Sequence, residues 1–461
     1  NVEAQALPLW GTNAPPFAPY NNRVARQWWS HMMLKNPNPF QERLAWFLHD
    51  HFATSNINFS GDAQFYFYYH VNLFRRFGLA ASDQTGDGQP GLAYSWRDLL
   101  VAVSKDRAML EWLDGRRSVR GNPNENFARE LWELFMLGEG NGYTEEDIQE
   151  AAKALTGFNW FRNEAVYGDR RLEIRYEPER HDERSKTILG ETGFFGYDDI
   201  APFHYTRATG EFDPTITTDT RDTDGGVVDL TLRVRPTESS EFICRKLAAF
   251  FLYENPHDVV VQALAEELRQ NNWNLEPVIE TILESKAMYS GRARKGQVRT
   301  PVEFVFSFMR TTEVDLHPVI GTNTVRIVNE LSSLGQMVLQ PPDVNGWPVG
   351  SAWLSSQAML ERANFITFAI EQLDDFDTQI APLLPPAGQR SPAQLVDHLS
   401  TILDVKLSGN ARTKLIEYVT TQEQGGQTVP FAYDQNNENH VKMKTRGLIF
   451  AIAQYHDAHQ N

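Results

Sequence analysis

Residues 122–138 read NPNENFARELWELFMLG, and this stretch decides how the chain folds. Pro123 stands at a helix-start position behind an Asn that can cap, and Gly138 stands where a stop is expected. Between them Phe127, Leu131, Leu134 and Phe135 share one apolar stripe at helical spacing. Trp132 and Met136 lie on roughly the opposite side. A helix apolar on two faces is enclosed by protein. Yet this one carries Glu125, Asn126, Arg129, Glu130 and Glu133. Bare charges on an enclosed helix cost too much, so these must be paired or must bind something.

Working outward, the chain reads as mainly α: a large multi-helix domain with one irregular β-containing insertion. Residues 1–20 form an extended Pro-rich opening, and residues 21–157 the first part of a helical core. Residues 158–238 form the insertion, where alternation (RLEIRYE, TLRVR) and turn residues replace helical spacing. Residues 239–380 make the second part of the core, containing the loop PPDVNGWP, and residues 381–461 a helical tail. Within this plan residues 95–113 read as one helix. Thr144 opens another with a capping box to Asp147.

Composition narrows the function. A hydrophobic fraction of 41% supports a sizeable core, so the chain is not disordered. No run of roughly 18 apolar residues offers a transmembrane helix. A net charge of −17 without a Lys/Arg block argues against nucleic acid as the main partner. Cys244 is the sole cysteine, which excludes an internal disulfide and any cysteine-based zinc motif. Aromatics at 12% are mostly core, with some available to line a carbohydrate cleft. The chain opens at Asn1 with neither an n-region nor an h-region, as a processed exported protein does.

Four places carry candidate chemistry. In RLAWFLHDHFATS, residues 43–55, His51 shares a stripe with Leu44, Phe47 and Leu48. His49 lies about 200° away on a regular helix, so the two imidazoles do not share one metal. On the central helix Glu125, Arg129 and Glu133 are spaced for ion pairs. Asn126, Glu130 and Glu133 fall on an adjoining face, where two carboxylates can take a cation or act as an acid/base pair. His181-Asp182-Glu183 puts three potential ligands in a row, pointing different ways. Asp343, Asn345 and Trp347 sit in a loop stiffened by prolines, of the kind that borders sites. A weaker signal is DQTGDGQPG, where Asp83 and Asp87 mimic the front half of a calcium loop whose closing acid is replaced by Tyr94. GxSxG, HExxH, Walker A and a strand-linked GxGxxG are absent from the sequence.

Several of these stretches occur together and in order: RLAWFLHDHFATS, NPNENFARELWELFMLGEGNGYTEEDIQEAAKALTGF, HDERSKTILG, FICRKLAAFFL and QPPDVNGWP. In this the chain resembles the bacterial family called domain of unknown function 1800. The resemblance implies an exported protein and implies no activity.

The residues lead to two expectations. The first is an exported hydrolase with catalytic His49, His51, Glu130, Glu133 and Asp343, and with Asn126, Arg129 and Trp347 meeting substrate. His51, Glu130 and His181 would hold a divalent zinc, manganese or iron ion, and Asp83 and Asp87 a calcium. The alternative is a non-catalytic surface or assembly protein, engaging a glycan or another protein, whose buried charges are structural ion pairs.

Overall fold

The structure is a computed structural model. It describes residues 22–56, 66–80, 82–83, 91–162, 172–199, 205–206, 211–212, 224–312, 323–371 and 380–460. The Pro-rich opening therefore lies outside the described residues, as does most of the acidic turn at residues 219–226. The chain divides into two compact units, one of residues 1–32, 36–289 and 339–347, the other of residues 33–35, 290–338 and 348–461. The fold is mainly α, and every sheet among the described residues is a two-stranded antiparallel hairpin.

α1 (Asn22–Lys35), in the first unit up to Met32, leads into α2 (Pro39–His51), whose first turn is closed by Asn38 accepting from Gln41 N. Pro39 fits at the start because its missing N–H would have no helical partner there. α2 packs on α3 (Tyr66–Phe77). Glu42 is 3% exposed between them, and three donors surround it: Trp29 Nε1 at 3.1 Å, Asn36 Nδ2 at 2.6 Å and Arg75 Nε at 2.9 Å. A buried carboxylate is tolerable only with such company.

The helix expected over residues 95–113 is two helices, α4 (Trp96–Ser104) and α5 (Arg107–Trp112). Asp106 causes the break. Its carboxylate accepts from Ala108 N at 2.9 Å and Met109 N at 3.1 Å, so it caps a new helix instead of continuing the old one. The central stretch starts as α6 (Glu125–Glu130) and widens into a π-helical segment (Leu131–Met136). Phe127, Leu131, Trp132, Phe135 and Met136 are buried, as two apolar faces require. α7 (Glu145–Ala154) has the expected capping box between Thr144 and Asp147.

The insertion holds the hairpins β1 (Phe158–Arg162) with β2 (Leu172–Tyr176), β3 (Lys186–Ile188) with β4 (Glu191–Gly193), and β5 (Tyr205–Thr206) with β6 (Glu211–Phe212). RLEIRYE becomes a strand as its alternation predicts, but TLRVR does not. It belongs to α8 (Val227–Val234), where Leu230, Thr231 and Leu232 are all buried, so the alternation marked no single face. Asp198 fixes that helix start by accepting from Val228 N and Asp229 N, each at 2.9 Å. α9 (Pro236–Phe251), α10 (Asp258–Gln270) and α11 (Glu276–Glu284) complete the unit, with α9 packed against α10 and against the π segment.

The second unit contains α12 (Pro301–Thr311), α13 (Asn323–Ser333), α14 (Ser356–Glu371), α15 (Pro392–Ile402), α16 (Gly409–Val419) and α17 (Glu438–Ala453). The tail is less uniformly helical than its sequence suggests: the hairpin β7 (Thr421–Gln424) with β8 (Gln427–Pro430) interrupts it. At its centre the fully buried Arg362 lies 4.7 Å from the ring centroid of Phe304 and donates to the Arg299 carbonyl at 2.5 Å.

Candidate active site

Three consecutive residues at the end of α2 reach in three directions. His49 is fully buried among aromatic rings, with Trp29, Trp347 and His70 centred 5.3, 5.5 and 5.9 Å away. Burial, helped by His70, holds it well below the ordinary histidine value. Asp50 accepts from Trp347 N at 2.8 Å through Oδ1. A Cβ on Gly346 would fall 2.3 Å from that oxygen, and Gly346 has φ +85°, so only glycine lets the loop close on Asp50.

His51 is 4% exposed. Its Nε2 donates to the Phe135 carbonyl at 3.1 Å, and its Nδ1 accepts from Lys246 Nζ at 3.1 Å. A carbonyl only accepts and an ammonium only donates, so this arrangement fixes the neutral tautomer. Burial first, and the Lys246 charge second, hold His51 well below its usual range against the opposing pull of the Phe135 bond. Lys246 also donates to the Leu134 carbonyl at 3.2 Å. Burial pushes its ammonium down to about 8, with Asp50 resisting. The two histidines thus diverge, as helical geometry requires.

These donors meet the segment that widens. Leu137 N and Gly138 N both bond the Trp132 carbonyl, at 2.8 and 2.9 Å, in place of α-helical partners. The carbonyls of Leu134 and Phe135, at the end of the helix, are completed by Lys246 and His51. Trp132 Nε1 donates to Thr231 Oγ1 at 3.0 Å. π-helical turns inside α-helices recur at functional sites.

The outer face of this helix carries the expected ion pairs. Arg129 reaches Glu125 at 3.7 Å and Glu133 at 3.4 Å, and grips Glu145 through two bonds of 2.8 and 2.6 Å. Tyr143 lies beside Glu133, and its hydroxyl accepts from Gly140 N at 2.9 Å. Glu130 differs from its neighbours. It is half-buried and makes no hydrogen bond among the described residues. Burial raises its carboxyl above the ordinary value; Glu133 adds to the rise and Arg129 opposes it. Asn126 is exposed on the same helix.

The remaining candidates are placed elsewhere. His181 is fully buried, and its Nδ1 donates to the Thr156 carbonyl at 3.0 Å. Asp182, also fully buried, pairs with Arg184, whose guanidinium holds its carboxyl down to about 2. Trp347 does not stand at a rim. It is 6% exposed and stacks on Trp46 with centroids 4.8 Å apart, so it does not meet substrate there. Asp343 is exposed and shapes its own turn by accepting from Asn345 N at 2.8 Å. Asp83 is exposed, and Asp87 lies outside the described residues. Among the described residues no three His, Cys, Asp or Glu side chains gather to hold a metal ion, so His51, Glu130 and His181 do not form the three-ligand set expected from the sequence. Both ring nitrogens of His51 are already engaged.

A family model described as "Protein of unknown function (DUF1800)" matches residues 18–433. The chain belongs to that family. The DUF1800 match spans the α2 histidines, the π segment, Lys246 and the Asp343–Trp347 loop, and stops before α17. No curated protein and no solved structure matches this DUF1800 chain.

Sequence reasoning missed Asp50, His70, Asp106 and Lys246. Lys246 left one signal: with Arg245 it interrupts the apolar stretches of residues 242–244 and 247–252. A cation in such a run has to find acceptors, and it does so 112 and 195 residues away.

Proposed function

We propose that this protein is an exported hydrolase in which Glu130 is the general acid and Glu133 the partnering carboxylate. The observation that carries the reading is the contrast between the two side chains. Glu130 is half-buried, makes no hydrogen bond among the described residues and has its carboxyl raised above the ordinary value by burial, while Glu133 has a guanidinium and a phenol beside it. Carboxyl groups whose surroundings differ in this way divide acid from base. Residues three apart on a helix have Cβ atoms about 5–6 Å apart, close enough for two glutamate side chains to bring their carboxyls to the roughly 5–5.5 Å of a retaining glycosidase pair.

The substrate class follows from charge. Around Arg129 gather Glu125, Glu133 and Glu145, with Glu130 beside Glu133, so four carboxylates outnumber one guanidinium, which disfavours phosphate and other anionic substrates. A neutral glycan suits it, with the half-buried Tyr143 ring as a platform. In the reaction Glu130 gives its proton to the leaving glycosidic oxygen as Glu133 attacks the sugar carbon. Water, deprotonated by Glu130, then cleaves the glycosyl ester and restores both carboxyls. His51 and Lys246 are positioning residues that hold the end of the π segment. His49 and Asp343 have no catalytic part in this scheme.

The test is release of reducing ends from a panel of neutral bacterial and plant polysaccharides. Wild type should cleave at least one member, and Glu130→Gln and Glu133→Gln should each lose at least about 100-fold. A folded wild type inert across the panel, or a fully active Glu130→Gln, would overturn the reading. One observation favours the non-catalytic alternative: His51 and Lys246 are bonded to each other and to the Phe135 and Leu134 carbonyls, a buried pair engaged in structure. In that case Glu130→Gln would leave glycan binding unchanged, and no bond would be cut.

A further inference from the structure

A second polar cluster lies inside the aromatic core, independent of the carboxyl pair. His49 on α2 and His70 on α3 are both fully buried, with ring centroids 5.9 Å apart and planes at 81°. His70 Nδ1 lies 2.9 Å from Asp106 Oδ2. That oxygen already accepts two backbone N–H groups, so Nδ1 carries the proton of this bond, and in the neutral ring the lone pair is on Nε2. Among the described residues no partner reaches His70 Nε2, nor either ring nitrogen of His49. Unmade hydrogen bonds of this kind are costly in a dry core. Three of them side by side call for an occupant.

The arrangement around His70 is the one that orients a metal-binding imidazole: a carboxylate holds one nitrogen and aims the other. Two metal–nitrogen bonds of about 2.0 Å, plus the distance from each nitrogen to its ring centre, span roughly 6 Å. The observed separation fits a single bridging ion. No third His, Cys, Asp or Glu completes a set among the described residues, which rules against the four-ligand site that zinc demands. Two neutral imidazoles suit a soft monovalent ion that accepts linear coordination. A single positive charge is also cheaper to bury than a double one. Asp106 lies one imidazole away, and the rings of Trp29, Trp46 and Trp347 surround His49.

We propose that His49 and His70 bind one copper(I)-type ion between them, with Asp106 positioning His70. The test titrates the full chain with copper(I) under anaerobic conditions against a chromophoric chelator, and with silver(I) as a redox-inert probe. Because both rings are buried, loading is also done during refolding of the full chain. One ion per chain is expected, with X-ray absorption reporting two nitrogen neighbours near ~2 Å. His49→Gln and His70→Gln should each abolish uptake, and Asp106→Asn should weaken it about 10–100-fold. The exposed His456→Gln should bind as wild type does. If the His49 and His70 variants fail to fold, wild type decides: stoichiometric silver(I) should raise Tm and shift the nitrogen-15 resonance of His70 Nε2. No stoichiometric uptake, equal uptake by His70→Gln, or an unmoved resonance would overturn the proposal and leave a buried water as the occupant.

Discussion

At the scale of single residues, His51 and Glu130 separate support from chemistry. His51→Ala would strip Lys246 of one acceptor and leave the Phe135 carbonyl unpaired. A loss of about 3 kcal/mol is expected in denaturant unfolding, since breaking a buried polar pair strands its partner. Glu130→Gln should cost less than about 0.5 kcal/mol in the same measurement, because it removes no hydrogen bond and burial already favours the uncharged form. Glu130 was legible in the sequence, since its spacing put a charge on an enclosed helix. Lys246 and His70 were not, because their partners lie on helices far along the chain and no local pattern encodes such a meeting. Trp347 misled because an indole in a rigid loop looks the same whether it faces a ligand or a second indole.

At the scale of elements, the central helix and the Asp343–Trp347 turn show what periodicity reveals. The apolar stripe predicted enclosure correctly but not the π-helical widening, because residues three to five apart keep the same face in either ladder. The break at Asp106 escaped for a related reason: an aspartate inside an amphipathic run reads as a surface residue until its carboxylate is seen on two backbone N–H groups. The loop gives a sharp prediction. In Gly346→Ala the new methyl would meet Asp50 at 2.3 Å on a backbone of φ +85°. A loss of about 2–3 kcal/mol is expected in urea unfolding. A loss below about 0.5 kcal/mol would show that Asp50 does not clamp the loop.

At the scale of the whole molecule, the mainly α fold followed from helical spacing repeated along most of the chain. The division into two units was not readable, because it depends on which distant segments pack together. Among the described residues no helix is long and apolar enough to cross a membrane. Buried neutral groups govern the response to pH. His49 and His51 are held well below 6.5, and His459 is lowered to about 4. Below about pH 6.5 the unfolded chain takes up protons that these folded imidazoles refuse, so stability falls on acidification. Lys105 and Lys246, each lowered to about 8, act at the other end, and between pH 8 and 10.5 stability rises with pH. Glu130 and Asp198, the latter raised by burial to about 7, have the opposite sign in acid and offset part of the histidine effect. Thermal melts should show Tm climbing from pH 5 to 7, and climbing less in His51→Gln. An equal climb in that variant would remove His51 from the account.

The most direct measurement is a carbon-13 NMR titration of the Glu130 carboxyl in wild type and in Glu133→Gln. The account predicts a wild-type midpoint above the ordinary 4.5, moving down toward it once the neighbouring charge is removed. A wild-type midpoint at or below 4.5, unmoved by Glu133→Gln, would contradict the assignment of Glu130 as the acid.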